Sequence, residues 1–248
     1  MLAAVLLALT ALPASAEAIS FGGPTNYLSC CGTSAVATGN FNGDGYVDLV
    51  AANSYTDDVT VLAGAAHGRF SAISSTRGGR SPSSVAVGDF DGDLDPDLAV
   101  SNYVSNDVSI LVNDGAGSFS SGGTVLAGTS PLSVAAADFN GDADPDLAVA
   151  NQDSDNVSIL LGGTGASFAP STPSIVGDAP RAVAIGDFNG DSDPDLAVAN
   201  QNSDNVSILL GAALGAFTAP INFAAGDGPS GVAAVSYTHL TLPTTERV

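Results

Sequence analysis

Asp187-Phe-Asn-Gly-Asp-Ser-Asp-Pro-Asp195 places side-chain oxygens at alternate positions within nine residues. Carboxylates this close repel one another strongly unless a cation neutralises them. A hard cation that takes about six to eight oxygen ligands, Ca²⁺ before Mg²⁺, suits this arrangement. Gly190 allows a sharp turn around the ion, and Pro194 restricts φ at the exit. The predicted ligands are the side chains of Asp187, Asn189, Asp191 and Asp195 and the backbone carbonyl of Asp193.

The same loop occurs three more times, at intervals of 49 residues. The copies are NFNGDGYVD at 40–48, DFDGDLDPD at 89–97 and DFNGDADPD at 138–146. Phenylalanines at 21, 70, 119, 168 and 217 keep the same interval, so the repeated unit extends beyond the acidic loop. Four loops in register indicate repeated metal sites rather than solvated acidic turns, and they make the chain one array of repeats.

Each unit contains four short β-rich segments, which in the third unit cover 133–137, 146–151, 156–161 and 168–175. Four strands in a unit of about 40–50 residues are typical of a propeller blade. An EF-hand needs glycine at loop position 6, whereas here it stands at position 4, and a calcium-binding β-helix repeats far more often. We therefore predict an all-β fold, a β-propeller of four-stranded antiparallel blades.

The pattern Val-Ala-x-Gly-Asp-Phe-Asn-Gly-Asp-x-x-Pro-Asp-Leu-Ala-Val-Ala-Asn resembles the FG-GAP/VCBS repeat family, over residues 19–234. Integrin α-subunit propellers and bacterial secreted proteins belong to this family. The resemblance implies Ca²⁺ in the loop that joins the first two strands of each blade. In the second and third loops it implies the ligands Asp89, Asp91, Asp93, Asp95 and Asp97, and Asp138, Asn140, Asp142, Asp144 and Asp146, with Asp95 and Asp144 acting through their carbonyls.

The first loop departs from this pattern, because Asn40 stands where the other loops have aspartate. Its remaining predicted ligands are Asn42, Asp44, the carbonyl of Tyr46, and Asp48. With two carboxylates, against four among the side-chain ligands of the second loop, we expect it to bind Ca²⁺ most weakly.

Composition limits the function. The net charge is −21 and lysine is absent, which argues against nucleic acid as a partner, because phosphates need a basic surface. Residues 1–18 resemble a secretory signal peptide, and their apolar run is too short to span a membrane. We expect a secreted or cell-surface protein. Cys30 and Cys31 are adjacent, so they can pair only through a strained ring, and whether they pair stays open.

The C-terminal end breaks the repeat. A fifth acidic loop should begin at 236, but the chain instead reads VSYTHLTLPTTERV from 235 to 248. This string resembles the translation of a sequencing adapter. We therefore expect a non-native tail after an array cut within its fifth unit, and an incomplete arc of about four to five blades.

No catalytic set can be assembled from the sequence. His67 lies in a glycine-containing turn, and the aspartates are committed to metal, so we expect a protein that is not an enzyme. The sequons at Asn156 and Asn205 coincide with the repeated strand and are discounted as glycosylation sites.

Strand order predicts that the metal loops share one face of the propeller. The turns between second and third strands and the crossings between blades then share the other face, where residues differ most between units. Tyr55, Tyr103, Arg80 and Arg181 form a candidate ligand face there, with aromatic stacking and arginine pairing as contacts. Random drift in exposed loops would give the same variation.

Three functions remain open. The first is a binding or adhesion module for an extracellular polysaccharide or protein. The second is a structural repeat module of a larger surface protein. The third is part of a carbohydrate-active enzyme, which the family resemblance permits.

Overall fold

The computed structural model describes residues 32–170 and 172–235. The predicted signal at 1–18, both cysteines and all of the predicted tail except Val235 lie outside this part. Within it, four antiparallel sheets of four strands follow one another along the chain, one for each repeat. The described residues include no helix with the length and apolar character needed to cross a membrane.

The first two blades are continuous four-stranded sheets whose strands pair in chain order. Blade 1 contains β1 (Thr33–Gly39), β2 (Asp48–Asn53), β3 (Asp58–Ala65) and β4 (Arg69–Arg77). Blade 2 contains β5 (Pro82–Gly88), β6 (Asp97–Asn102), β7 (Asp107–Asn113) and β8 (Phe119–Leu126). The metal loop of each blade joins its first and second strands, as predicted.

The outer parts of blades 3 and 4 are split. Blade 3 contains β9 (Pro131–Ala137), β10 (Asp146–Asn151), β11 (Asn156–Leu160), a small hairpin of β12 (Gly162–Gly163) and β13 (Ser167–Phe168), and β14 (Thr172–Ile175). Blade 4 contains β15 (Pro180–Gly186), β16 (Asp195–Asn200), β17 (Asn205–Leu209), a hairpin of β18 (Gly211–Ala212) and β19 (Ala216–Phe217), and β20 (Ile221–Ala224).

The prediction of one fourth strand over 168–175 is therefore wrong in blade 3. Phe168 pairs with Gly162 in the small hairpin, and the outer strand starts only at Thr172. Pro170 stands between the two segments, and Pro220 does so in blade 4. Proline has no N–H to donate to a ladder, so the strand breaks there. In blades 1 and 2 the fourth strand is instead continuous, and its pairing with the third strand changes register once along its length.

The second strands form the most buried layer of each blade. Every residue of β6, β10 and β16 is buried. A strand covered on both faces reads as a continuous apolar run, which explains the repeated Leu-Ala-Val-Ala pattern. Successive side chains alternate between the preceding and the following blade.

Blades pack face to face in an arc, and each apolar cluster spans one junction. At every junction a phenylalanine from the metal loop of one blade meets a phenylalanine near the outer edge of the next. The ring centroids lie 5.8 Å apart for Phe41 and Phe119, 5.9 Å for Phe90 and Phe168, and 5.4 Å for Phe139 and Phe217. The phenylalanines that recur every 49 residues, at 119, 168 and 217, thus supply one ring of each contact. The metal loop of the preceding blade supplies the other ring.

Candidate metal centre and the opposite face

The last aspartate of each loop is the first residue of a second strand and is fully buried. This holds for Asp48, Asp97, Asp146 and Asp195. In the third loop, Asp146 accepts a hydrogen bond from the backbone N–H of Phe139 at 2.7 Å with one oxygen and from that of Gly162 at 2.7 Å with the other. The other three aspartates accept the equivalent pair. The buried carboxylate therefore fastens the loop to the end of the third strand.

The first aspartate organises the turn itself. Asp138 accepts from the N–H groups of Gly141 at 2.7 Å and Ala143 at 2.9 Å, and Asp89 and Asp187 accept the same two bonds. Asn40 makes no such bond within the described part of the chain. The first loop thus lacks part of the framework of the other three, in line with its departure in sequence.

Two positions in each loop have left-handed backbone. The glycine at position 4 was predicted to turn sharply, and Gly190 has a φ of 82°. Position 6 was not predicted to do so, yet Leu94, Ala143 and Ser192 have φ values of 76°, 72° and 76°. Such a conformation is costly for a residue with a side chain and persists where surrounding contacts enforce it, commonly at functional sites. Here the enforcing contact is the N–H bond to the first aspartate.

The middle donors are linked to one another. In the third loop the N–H of Asp142 donates to the side-chain oxygen of Asn140 at 2.9 Å, and the N–H of Asp144 donates to Asp142 at 2.9 Å. The same chain of bonds recurs at 42–46, 91–95 and 189–193. Alternate side chains are thereby held on one side of the loop.

The second loop brings three carboxylates together. Oxygen atoms of Asp89, Asp91 and Asp97 all lie within 4.8 Å of one another. Burial raises the pKa of Asp91, and the neighbouring carboxylates of Asp93 and Asp89 add to this effect, although the backbone N–H of Asp93 opposes it. Burial likewise raises the pKa of Asp97, although N–H groups of Asn113 and Phe90 oppose the shift.

The third loop shows both kinds of shift. Burial raises the pKa of Asp146, and the carboxylates of Asp142 and Asp138 add to that effect. Burial also works against ionisation of Asp138, but the N–H groups of Ala143 and Gly141 outweigh it and hold the pKa of Asp138 below its usual value. The loop therefore contains negative charge that its backbone stabilises only in part.

The opposite face contains the candidate ligand residues in two groups. Tyr103 and Arg181 line a cavity of about 480 Å³, together with Ser34, Ser54, Ser81, Pro82, Ser83, Leu132, Gln152 and Ser230. Tyr55 is 82% exposed and Arg80 is also exposed, and neither lines this cavity. Sequence reasoning did not assign the serines to a site, because only the fold shows that they converge.

Comparison with protein families decides the relationship. Residues 40–100, 95–149 and 138–198 each match the FG-GAP-like repeat. The chain belongs to the FG-GAP-like repeat family. The matches cover all four metal loops entirely, and the first begins at Asn40, the first residue of the first loop. Comparison with curated protein sequences yields no match.

Solved structures resemble this FG-GAP-like array in fold. A chain of the BBS1N–ARL6DN complex aligns with a TM-score of 0.62 at 16% identity, covering 88% of this chain and 64% of that one. A protein from Bacteroides fragilis assigned as a 6-phosphogluconolactonase aligns with a TM-score of 0.62 at 18% identity, covering 79% and 56%. A protein from Lactobacillus plantarum gives 0.56 at 18% identity, covering 71% and 54%. The array thus spans about 54 to 64% of the length of these chains.

The FG-GAP-like loops fit the calcium ion that the family implies. Carboxylate, amide and carbonyl oxygens are the donors that Ca²⁺ takes, and no nitrogen or sulfur donor stands in any of the four nine-residue loops. The three converging carboxylates of the second loop give one site its anionic core. The third and fourth loops have Asn140 and Asn189 where the second loop has Asp91, so those two sites carry one negative charge fewer.

Proposed function

We propose that this propeller is an exported, calcium-stabilised binding module with no catalytic activity of its own. The single observation that carries the metal part is the convergence of Asp89, Asp91 and Asp97 within 4.8 Å in a loop whose hydrogen-bonded framework recurs in the other repeats. A cation bound there offsets mutual carboxylate repulsion, and because it binds only the folded loop, it stabilises the fold.

The partner we propose is an extracellular glycan or protein, bound on the face opposite the metal loops. Support comes from the cavity there, which residues from several blades line together. Export is supported by the resemblance of residues 1–18 to a signal peptide and by the typical occurrence of FG-GAP-like repeats in extracellular proteins. Millimolar extracellular calcium matches the range in which extracellular modules bind it, about 10⁻⁴–10⁻³ M.

Thermal unfolding of the full chain tests the metal proposal. In about 5 mM Ca²⁺, each loop with a dissociation constant in that range should add about 1–2 kcal/mol to the free energy of unfolding relative to EGTA. We expect a rise in Tm of several degrees with Ca²⁺ and a smaller one with Mg²⁺. Replacing Asp89, Asp138 and Asp187 by asparagine should remove most of the rise.

Asp114→Asn is the matched control. Asp114 lies in the turn between β7 and β8, accepts backbone bonds from Ala116 and Ser118, and is not a predicted ligand. It removes one carboxylate from the same acidic protein, so the calcium shift should persist. Equal shifts in the control and in the triple variant would contradict the proposal.

A further inference from the structure

The cavity on the face opposite the metal loops is built mainly from two positions of the repeat. One is the second residue of the first strand in each of the four blades, which is Ser34, Ser83, Leu132 and Arg181, and Ser230 stands 49 residues after Arg181 at the equivalent place in the repeat. The other is the residue after each second strand, of which Ser54, Tyr103 and Gln152 line the cavity and Gln201 is the fourth. Equivalent side chains from successive blades therefore converge on one space.

These two positions vary between units, whereas the residue before each of them is nearly constant. The residue before the first set is proline in four of the five units, and the residue before the second set is asparagine in all four. The constant residues serve the scaffold: Pro82 and Pro131 begin first strands, and Asn102 and Asn151 are fully buried. The cavity is therefore lined largely by side chains at positions that the scaffold does not keep constant.

Serine at the first of these positions joins neighbouring blades in units 1 and 2, but units 3 and 4 have no serine there. The hydroxyl of Ser34 donates to the carbonyl of Pro82 at 2.6 Å, and that of Ser83 donates to the carbonyl of Pro131 at 2.7 Å, so each joins its blade to the next. Leu132 has no hydroxyl to repeat the bond. Arg181 extends instead to Gln201 of its own blade, where Nη1 donates to Oε1 at 2.9 Å.

Arg181 retains most of its hydrogen-bonding capacity. A guanidinium has five N–H donors, and the bond to Gln201 uses one of them. Among residues 32–170 and 172–235, Arg181 forms no salt bridge with a carboxylate, although the chain has 26 acidic residues and five basic ones. The lining of the cavity contains no aspartate or glutamate. A half-buried arginine is thus held by a neutral amide in a cavity whose lining contains no carboxylate.

We propose that this cavity binds an acidic saccharide, with the carboxylate of a uronic acid at Arg181. Arginine binds carboxylates through two parallel N–H bonds. The hydroxyl and amide groups of Ser54, Gln152 and Ser230 suit sugar hydroxyls, and the ring of Tyr103 and the side chain of Leu132 offer apolar surface for a pyranose face. The cavity volume of about 480 Å³ lies within the range of small-molecule sites, about 300–1,000 Å³.

This inference rests on the proposed binding function, but it does not depend on where calcium binds. It also separates the candidate face into a site and its surroundings. Tyr103 and Arg181 belong to the site, whereas Tyr55 and Arg80 lie outside its lining.

Isothermal titration of the full chain in millimolar Ca²⁺ with digalacturonate tests the proposal, with neutral galactobiose and sodium acetate as comparison probes. We expect digalacturonate to bind, galactobiose to bind at least tenfold more weakly because it lacks the carboxylate, and acetate to be weaker still. Arg181→Gln should weaken digalacturonate at least tenfold. Arg80→Gln, which removes an exposed arginine of the same face, should leave the affinity unchanged.

Several outcomes would overturn the proposal. They are equal affinity for digalacturonate and galactobiose, an equal effect of Arg181→Gln and Arg80→Gln, and no binding of any probe. The Tm of each variant in Ca²⁺ and in EGTA separates these failures from failure of the metal sites. If Ca²⁺ still raises Tm but no saccharide binds, only the proposed ligand is wrong. If Ca²⁺ does not raise Tm, the proposal of a calcium-stabilised module is itself wrong.

Discussion

A buried asparagine at the end of each second strand fixes the turn that follows it. In blade 3 the amide of Asn151 donates to the side chain of Asn156 at 2.8 Å and to the hydroxyl of Ser158 at 3.0 Å. Equivalent bonds hold Asn53, Asn102 and Asn200. The sequon residues Asn156 and Ser158 are thus the two acceptors of a buried network, which gives a physical reason to discount them as a glycosylation site.

The acceptor that is asparagine in blades 3 and 4 is aspartate in blades 1 and 2, and in blade 1 this difference should appear in acid. Burial opposes ionisation of Asp58, but bonds from Thr56, Asn53 and Ser75 and the charge of Arg77 outweigh it and lower its pKa. A depressed pKa stabilises the fold above the ordinary value of 3.8, and that stabilisation is lost as pH falls through the folded value. Asp58→Asn should therefore lower Tm at neutral pH, and the gap from wild type should close below pH about 4.

Thermal melts of both proteins between pH about 7 and about 3 measure this gap. Asp227→Asn removes an equal charge from an exposed position that has none of these bonds, and its gap from wild type should stay small throughout. A gap for Asp58→Asn that widens in acid would show that the sign is wrong.

At the scale of the element, the phenylalanine of each metal loop has the same sequence context but not the same surroundings. Phe139 is 6% exposed and contacts Phe217 across the junction of blades 3 and 4, whereas Phe188, its counterpart in blade 4, is 44% exposed. Phe139→Ala should cost about 3–5 kcal/mol in the free energy of unfolding, the usual range for a buried phenylalanine. Phe188→Ala should cost less than half as much. Urea unfolding in Ca²⁺ compares them, and equal losses would mean that the junction contact is not what stabilises Phe139.

The strands, and the acidic loops that join the first two strands of each blade, could be predicted from the sequence because each is local and repeated. The second strand at 146–151 was predicted with its observed bounds, since Leu-Ala-Val-Ala is buried on both faces and lies between a loop and a turn. The split at Pro170 was missed because a proline-containing edge strand and a strand broken by proline have similar sequences. The partner of Phe139 could not be predicted, because Phe217 lies 78 residues away and only the packing of blades joins them.

The candidate metal loops and the candidate cavity likewise differ in how far the sequence could predict them. The candidate ligands of a metal loop are neighbours in the chain, so the alternation of oxygens was enough to predict them, and their role in binding Ca²⁺ stays a prediction. The cavity on the opposite face needs residues from successive blades, and its serines look ordinary in sequence. Arg181 and Tyr103 were selected because they differ from their counterparts in other units, and that comparison within one chain was the available signal.

In the whole molecule, the candidate metal loops and the candidate ligand cavity lie at opposite ends of the first strands. Each of these strands has seven residues, so the metal loops at their ends lie about 20 Å from the cavity residues at their starts. Fifteen of the 24 aspartates belong to the four loops, so much of the net charge of −21 lies at one face. The proposed saccharide site is therefore separated from the acidic loops, and calcium should affect binding there mainly by keeping the blades folded.

This one-sided charge makes the stability of the metal-free protein sensitive to salt. Without a cation the clustered carboxylates repel one another, and added salt screens exposed charges, with a screening length of about 10 Å at 0.1 M and about 3 Å at 1 M. Raising NaCl from about 0.05 to about 0.5 M in EGTA should therefore raise Tm. In millimolar Ca²⁺ the same increase should have a much smaller effect, because the bound cations have already neutralised the loops. The variant with Asp89, Asp138 and Asp187 replaced by asparagine should respond less to salt in EGTA than the unsubstituted protein, since it lacks three of the repelling charges. An equal salt response in EGTA and in Ca²⁺ would place the repulsion outside the loops and separate the acidity of this protein from its metal sites.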